Sequence, residues 1–180
     1  MGDRRAILGS QLRAMLPCDD RERGFLTRML GLLEGSEAPF SPEQLDPGHF
    51  TASAFVLSPE CDALLLIYHS RLARWLQPGG HVDGCDPDLL ATARRECREE
   101  IGRADLLLDR EGIFDVDIHT IPPMARRTQH EHFDVRYLLR SPSRQVRAGS
   151  DALDVKWVPL QSVATYEADP SVMRAVQKLM

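Results

Sequence analysis

The sequence predicts an α+β fold, an α/β/α sandwich built on a mixed sheet, preceded by a helical N-terminal extension. Three observations carry this. Apolar residues recur at helical spacing through the first 48 positions, short alternating segments dominate from His49 onward, and a single strong helix interrupts those segments between Asp86 and Gly102. The predicted organisation is therefore a helical extension over residues 1–48 and a mixed domain over residues 49–180.

In the extension, Ile7, Leu8, Leu12, Met15 and Leu16 form one helical stripe, and Phe25, Leu26, Met29, Leu30 and Leu33 form a second. Pro17 separates them, Asp19 or Asp20 suits the N-cap of the second, and Gly35-Ser36 ends it. Pro39, Pro42, Pro47 and Gly48 then break the chain before the sheet. Strands are predicted at Ser53 to Leu57, Ala63 to His69, Gly112 to Thr120, His132 to Leu139 and Val155 to Val158. Asp86 reads as the N-cap of the central helix with Pro87 at its first position, and Gly102 as its stop. Asp169-Pro170 opens a last helix carrying Val172, Met173, Val176 and Leu179.

Composition removes several function classes. No apolar run approaches the ~18 residues a membrane span needs, and the N-terminus lacks a signal-peptide pattern, so the cytoplasm is the expected compartment. A net charge of -5 argues against a nucleic-acid or anionic-membrane binder. The extension reinforces this, with six basic and eight acidic residues between Asp3 and Asp46. Cys18, Cys61, Cys85 and Cys97 show neither a CxxC pair nor Cys/His spacing, so no zinc site is expected from the pattern.

The central helix carries the chemistry. Glu96, Glu99 and Glu100 stand at i, i+3 and i+4 on one face, opposite a stripe of Leu90, Ala93, Cys97 and Ile101. Three carboxylates so placed repel one another, and a hard divalent ion relieves the repulsion; magnesium or manganese suits such oxygen ligands. Arg95 lies four residues before Glu99, within reach to orient a carboxylate. Upstream, Gly79-Gly80 can bring a backbone carbonyl to the same ion.

Residues 80 to 102 resemble the Nudix box, Gly-x5-Glu-x7-Arg-Glu-U-x-Glu-Glu-x-Gly-U, with U a bulky apolar residue. Arg95, Glu96, Cys97, Glu99, Glu100 and Gly102 fall in register. Counting back from Arg95, however, lands on Pro87 where the box has Glu, while counting forward from Gly80 lands on Asp86, so the loop holds one extra residue. Asp86 or Asp88 is the substitute for the missing Glu, and Arg103 takes the final apolar position. The segment from Arg74 to His81 and the strand His130-x-His132-x-Asp134-x-Arg136-Tyr137 look like a bacterial subgroup that includes nucleotide-sugar diphosphatases. The resemblance spans residues 50 to 165.

It implies metal-dependent hydrolysis of a nucleoside diphosphate linked to another group X, such as the nucleotide sugar ADP-ribose. The products are a nucleoside monophosphate and a phosphorylated sugar. Glu96, Glu99, Glu100 and a Gly79 or Gly80 carbonyl are the implied metal ligands, and Arg95 the implied orienting residue. Family members differ in where their general base sits, commonly outside the box on a loop, which makes Glu131, Asp151 and Asp154 candidates here. Trp75, Arg127 and the strand face of His130, His132, Asp134 and Arg136 are candidates for substrate contact. Arg126 is a further phosphate candidate, and His81 receives no role. Two rival readings share the fold, a non-catalytic nucleotide sensor and an isopentenyl diphosphate isomerase. The expected partner is a small nucleoside diphosphate derivative, with a homodimer through the N-terminal helices as the expected use of their apolar stripes.

Overall fold

The computed structural model of the chain describes residues 3–70, 72–123, 127–149, 152–166 and 168–180. Two helices come first, α1 (Arg4–Ala14) and α2 (Asp20–Gly35). The sheet strands are β1 (Gly48–Leu57), β2 (Ala63–His69), β3 (Arg74–Leu76), β4 (Gly79–His81), β5 (Leu107–Leu108), β6 (Asp115–Ile121), β7 (His130–Arg140) and β8 (Ala152–Pro159). Helix α3 (Leu89–Ile101) lies between β4 and β5, and a 3-10 segment (Leu160–Tyr166) leads to α4 (Pro170–Leu179).

Two features of the sheet position the site. β1 and β7 run parallel over ten register pairs, from Gly48 opposite Glu131 to Leu57 opposite Arg140. β1 pairs with β2 only at Val56–Leu65 and Leu57–Leu64. Beyond that point the two strands part: β4 takes the edge of β1 at Thr51–Ser53, and β3 takes the edge of β2 at Ile67–His69. The Gly79-Gly80 turn therefore sits where the sheet divides.

Alternation along β1 and β7 sorts side chains to two faces. Phe50, Ala52, Ala54, Val56, Phe133, Val135 and Tyr137 join α1, α2 and α3 in one core. Phe55, Leu57 and Leu138 join Phe114, Val163, Val172 and Val176 in the other, beneath α4. This is the expected sandwich. Leu8, Leu12, Leu26, Met29, Leu32 and Leu33 are all at most 7% exposed within the first core, and each such burial contributes about 1.5–3 kcal/mol. Helices α1 and α2 thus pack into the same core as the sheet. Most of the stripe residues that suggested a homodimer are buried within one chain, while Leu16 stays exposed.

Local capping departs from the sequence reading at one instructive place. The N-cap of α3 is Asp88, whose carboxylate accepts from the Ala91 N–H at 2.8 Å, and not Asp86. The helix begins after the extra residue, which frees Asp86 for another partner. At the other end Gly102 adopts φ 68, a left-handed conformation that glycine takes without strain. The N–H groups of Arg147 and Gly149 then satisfy the carbonyls of Ile101 and Glu100. The remaining caps, Asp19 for α2 and Asp169 followed by Pro170 for α4, match expectation.

Candidate active site

Each side chain of the acidic helix meets a different environment. Glu99 is exposed, Glu96 is half-buried and Glu100 is only 4% exposed, so Glu100 does not share an outward acidic face. Its Oε2 accepts the Gly79 N–H at 2.8 Å. Glu96 comes against Gly80 so closely that a Cβ there would lie 2.6 Å from Glu96 Oε1. A Cβ at Gly79 would lie 2.3 Å from that of Ser53. Glycine is required at Gly79, where β1 approaches the backbone directly, and at Gly80 it lets the Glu96 carboxylate close onto the chain.

Arg95 organises the group. Its Nη1 donates to Glu96 at 2.8 Å and to Glu99 at 3.2 Å, and its Nη2 donates to the His81 carbonyl at 2.7 Å and to Asp86 at 3.0 Å. Asp86 also receives Nε and the Thr92 hydroxyl. Of the two candidates for the missing box Glu, Asp86 is the one that holds Arg95, from across the lengthened loop, while Asp88 caps α3. Burial raises the Asp86 pKa, but its bonds from Arg95, Asp83 and Thr92 outweigh this and hold it below the usual carboxylate value. Burial would lower the Arg95 pKa, and Asp86 and Glu96 carry it upward instead. Glu96 is pushed up, by burial first and by the Glu99 and Asp86 charges, which outweigh Arg95.

These residues fit a hard divalent ion. Two carboxylates, from Glu96 and Glu100, converge on one glycine segment whose carbonyl groups are further oxygen donors. Glu99 is drawn outward to Arg95, with Arg98 3.8 Å away. The three acidic side chains are not gathered into a tight trio. Among the described residues, the side chains whose ligand atoms all lie within 4.8 Å of one another are instead His49, His81 and His132.

The strand face of β7 splits into two environments. His130 and His132 join a group of imidazoles with His49, His81 and His119. His132 is pushed down to about 2 by burial and then by the neighbouring rings, and His49 is lowered chiefly by burial. Asp134 and Arg136 enter a buried ion network. Arg136, 1% exposed, pairs with Asp134 at 2.7 Å, Asp115 at 3.2 Å and Asp117 at 3.3 Å. Arg174 and Lys178 of α4 also reach Asp115, while Thr51 and Ser53 donate to Asp134. Asp134 and Arg136, candidates for substrate contact, have their charges met inside the protein, where Arg136 and its partners tie α4 to the sheet.

The other candidates are dispersed. Glu131 points to the opposite face of β7 from His130 and His132 and pairs with Arg28 of α2. Asp154 is exposed and paired with Lys156, while Asp151 and Arg126 lie outside the described residues. Arg127 pairs with Glu43 at 3.0 Å. Trp75 is half-buried, with Tyr68 and Tyr166 edge-on and Lys156 over its ring at 4.8 Å. It lines an open cavity of about 760 Å³ together with Tyr68, Arg74, Tyr166 and Asp169. Sequence reading missed His49, His81 and Ser53 because their partners arrive from distant strands. The parallel β1–β7 register and the antiparallel β1–β4 pairing, both invisible in a single sequence, bring them to the site.

Comparison with known proteins places this geometry. A family model described as the NUDIX domain matches residues 47–178. Similar folds include a MutT NUDIX hydrolase from Burkholderia pseudomallei, with TM-score 0.57 and 20% identity over 73% of this chain and 97% of that one. The E. coli dihydroneopterin triphosphate pyrophosphohydrolase matches with TM-score 0.54 and 16% identity, over 72% and 92% of the two chains. The NUDIX domain of Shewanella oneidensis NrtR, solved with ADP ribose, matches with TM-score 0.51 and 19% identity, over 82% and 94%. At these identities the structures speak for the fold. No curated protein matches the chain. The family model covers most of the sequence, including Arg95, Glu96, Glu99 and Glu100. The chain belongs to the Nudix family and is a hydrolase of phosphoric anhydride bonds, a class that uses divalent metal ions.

Proposed function

We propose that this hydrolase cleaves the diphosphate of a nucleoside diphosphate linked to a sugar, with ADP-ribose as the representative substrate. The products are a nucleoside monophosphate and a phosphorylated sugar. One observation carries the reading: Glu96 and Glu100 converge on Gly79-Gly80 where β1 and β2 part. Magnesium or manganese, held there by Glu96, Glu100 and the Gly80 carbonyl, supplies charge neutralisation for the diphosphate and a more acidic water.

The chain's own residues supply the rest. Arg95 fixes the Glu96 and Glu99 carboxylates, and Asp86 fixes Arg95. Glu131 lies on the opposite face of β7 from His130 and His132, and the reading gives the proton of the attacking water to Glu99, the exposed member of the trio. The cavity beside Trp75 has a volume in the range of small-molecule sites and offers aromatic surface to a base or sugar. The described helices include none long and apolar enough to cross a membrane. Unpaired Cys18, Cys61, Cys85 and Cys97 support a reducing cytoplasm as the compartment.

The test is a panel of ADP-ribose, GDP-mannose, a dinucleoside polyphosphate and nucleoside triphosphates, each with magnesium or manganese and with products identified by chromatography. The reading predicts AMP and ribose phosphate from ADP-ribose as the fastest conversion. Preferential release of pyrophosphate from triphosphates would overturn it. Tight nucleotide binding without turnover would instead favour a sensor.

A further inference from the structure

Five histidines meet on the sheet face away from the acidic helix's core, and three of them form a near-equilateral triangle. The ring centroids of His49 and His81 are 5.1 Å apart, those of His49 and His132 4.8 Å, and those of His81 and His132 5.1 Å. Three strands supply them. His49 of β1 and His132 of β7 are direct register partners, and His81 of β4 pairs with Thr51, two residues along β1.

The chemistry of His49 is the second, independent observation. Its Nδ1 lies 2.9 Å from the Gln44 carbonyl, an acceptor only, so Nδ1 carries the proton and Nε2 keeps its lone pair. That Nε2 is buried, its residue is 0% exposed, and it finds no hydrogen-bond partner among the described residues. A buried acceptor left without a donor loses its hydration uncompensated. An imidazole with one nitrogen donated to a backbone carbonyl and the other bare is the arrangement that metal-binding histidines adopt, because the carbonyl fixes the tautomer and raises basicity. His130 shares the carbonyl contact, with Nδ1 2.9 Å from the Thr128 carbonyl, and its ring lies 5.3 Å from that of His49.

We propose that His49, His81 and His132 bind a divalent transition-metal ion of the zinc class, at a site separate from the carboxylates of the Nudix helix. Three nitrogens and an outward position open to solvent suit such an ion, which prefers imidazole where magnesium prefers oxygen. Zinc–nitrogen bonds of about 2.0–2.1 Å set tetrahedral donors about 3.3 Å apart. The ligand atoms now lie within 4.8 Å, and His81, the exposed member, closes the remaining gap by rotating its side chain. His81 directly follows Gly80, so the two sites share one strand, the first taking a soft-to-borderline ion and the second a hard one.

Cobalt(II) is the probe, because nitrogen coordination in a site of low symmetry gives it visible absorption. The metal-free full-length protein is titrated with cobalt as wild type, as His81→Ala and as Glu96→Gln, with circular dichroism to confirm the fold. The exposed His81 side chain can be removed without opening the core. The expected result is a visible band in wild type and in Glu96→Gln, displaced by zinc, and cobalt affinity at least about tenfold weaker in His81→Ala. Absence of the band in wild type, its persistence in His81→Ala, or its loss in Glu96→Gln alone would each overturn the proposal.

Discussion

Two groups of carboxylates lie in this molecule, and the cations beside them differ. In the buried network, Asp115, Asp117, Asp134 and Glu22 are met by Arg136, Arg174 and Lys178. Around the Nudix helix Arg95 serves Asp86, Glu96 and Glu99 at once, with Arg98 3.8 Å from Glu99, while Glu100 accepts a backbone N–H. The first group is close to neutral and needs nothing further. The second holds a surplus of negative charge in a partly buried place, which a divalent ion would offset. In the proposed reading that surplus, more than the presence of carboxylates, marks the functional site.

The titrations follow the same division. Burial raises the pKa of Asp115, yet Arg136, Arg174 and Lys178 overcome it and hold the value below the ordinary one. Burial raises that of Glu96 and nothing overcomes it.

The comparison breaks most visibly under substitution of the helix carboxylates. Glu96→Gln and Glu100→Gln should each reduce metal-dependent turnover by about a thousandfold, equivalent to about 4 kcal/mol of transition-state stabilisation, with an intact thermal transition. Retained turnover in both variants would erase the distinction. Arg136→Met should act in the opposite way. Leaving Asp115, Asp117 and Asp134 without their shared partner should cost about 3–5 kcal/mol in urea unfolding, while activity per folded molecule stays near wild type. A large loss of specific activity at unchanged stability would return Arg136 to the substrate site.

Arg95→Lys sharpens the account of the box. Lysine cannot reproduce donation through Nε and both Nη atoms, so metal affinity measured through activity should fall about 10- to 100-fold. Asp86→Asn should follow in the same direction with a smaller loss, since the Arg95 fork keeps Glu96 and Glu99.

The smallest effects are those of pH on the metal-free protein, and they have opposite signs. Asp115 has a lowered folded-state pKa, so its contribution to stability is present above the ordinary value of 3.8 and is lost as pH falls through the folded value. Glu96 has a raised one, so the stability it contributes is present below its ordinary value of 4.5 and is lost as pH rises through the folded value. At neutral pH, Glu96→Gln should therefore be more stable than wild type in the absence of metal, with an advantage that disappears on acidification. Thermal unfolding across a pH series checks both signs.

Much of this was legible in the sequence wherever the information is local. The caps at Asp19, Asp169 and Gly102, the strand Ala63–His69 and the register of Arg95 to Gly102 depend on residues a few positions apart. The three-residue strands β3 and β4 and the two-residue β5 escaped, being too short to show periodicity. The pattern His130-x-His132-x-Asp134-x-Arg136 correctly indicated one shared strand face but gave no sign that its halves serve different ends. What separates them comes from elsewhere: His49 and His81 beside the first half, Asp115, Asp117 and Arg174 beside the second. Spacing alone excluded a zinc pattern, yet three histidines from positions 49, 81 and 132 converge through strand pairing.

Calorimetric titration of the metal-free protein with manganese(II) tests the central claim most directly, because this ion favours carboxylate oxygen over imidazole. Compared across wild type, the Glu96→Gln/Glu100→Gln double variant and Arg136→Met, binding should be lost in the double variant and retained in Arg136→Met. Undiminished manganese binding in the double variant would contradict the claim that Glu96 and Glu100 of the Nudix helix hold the metal.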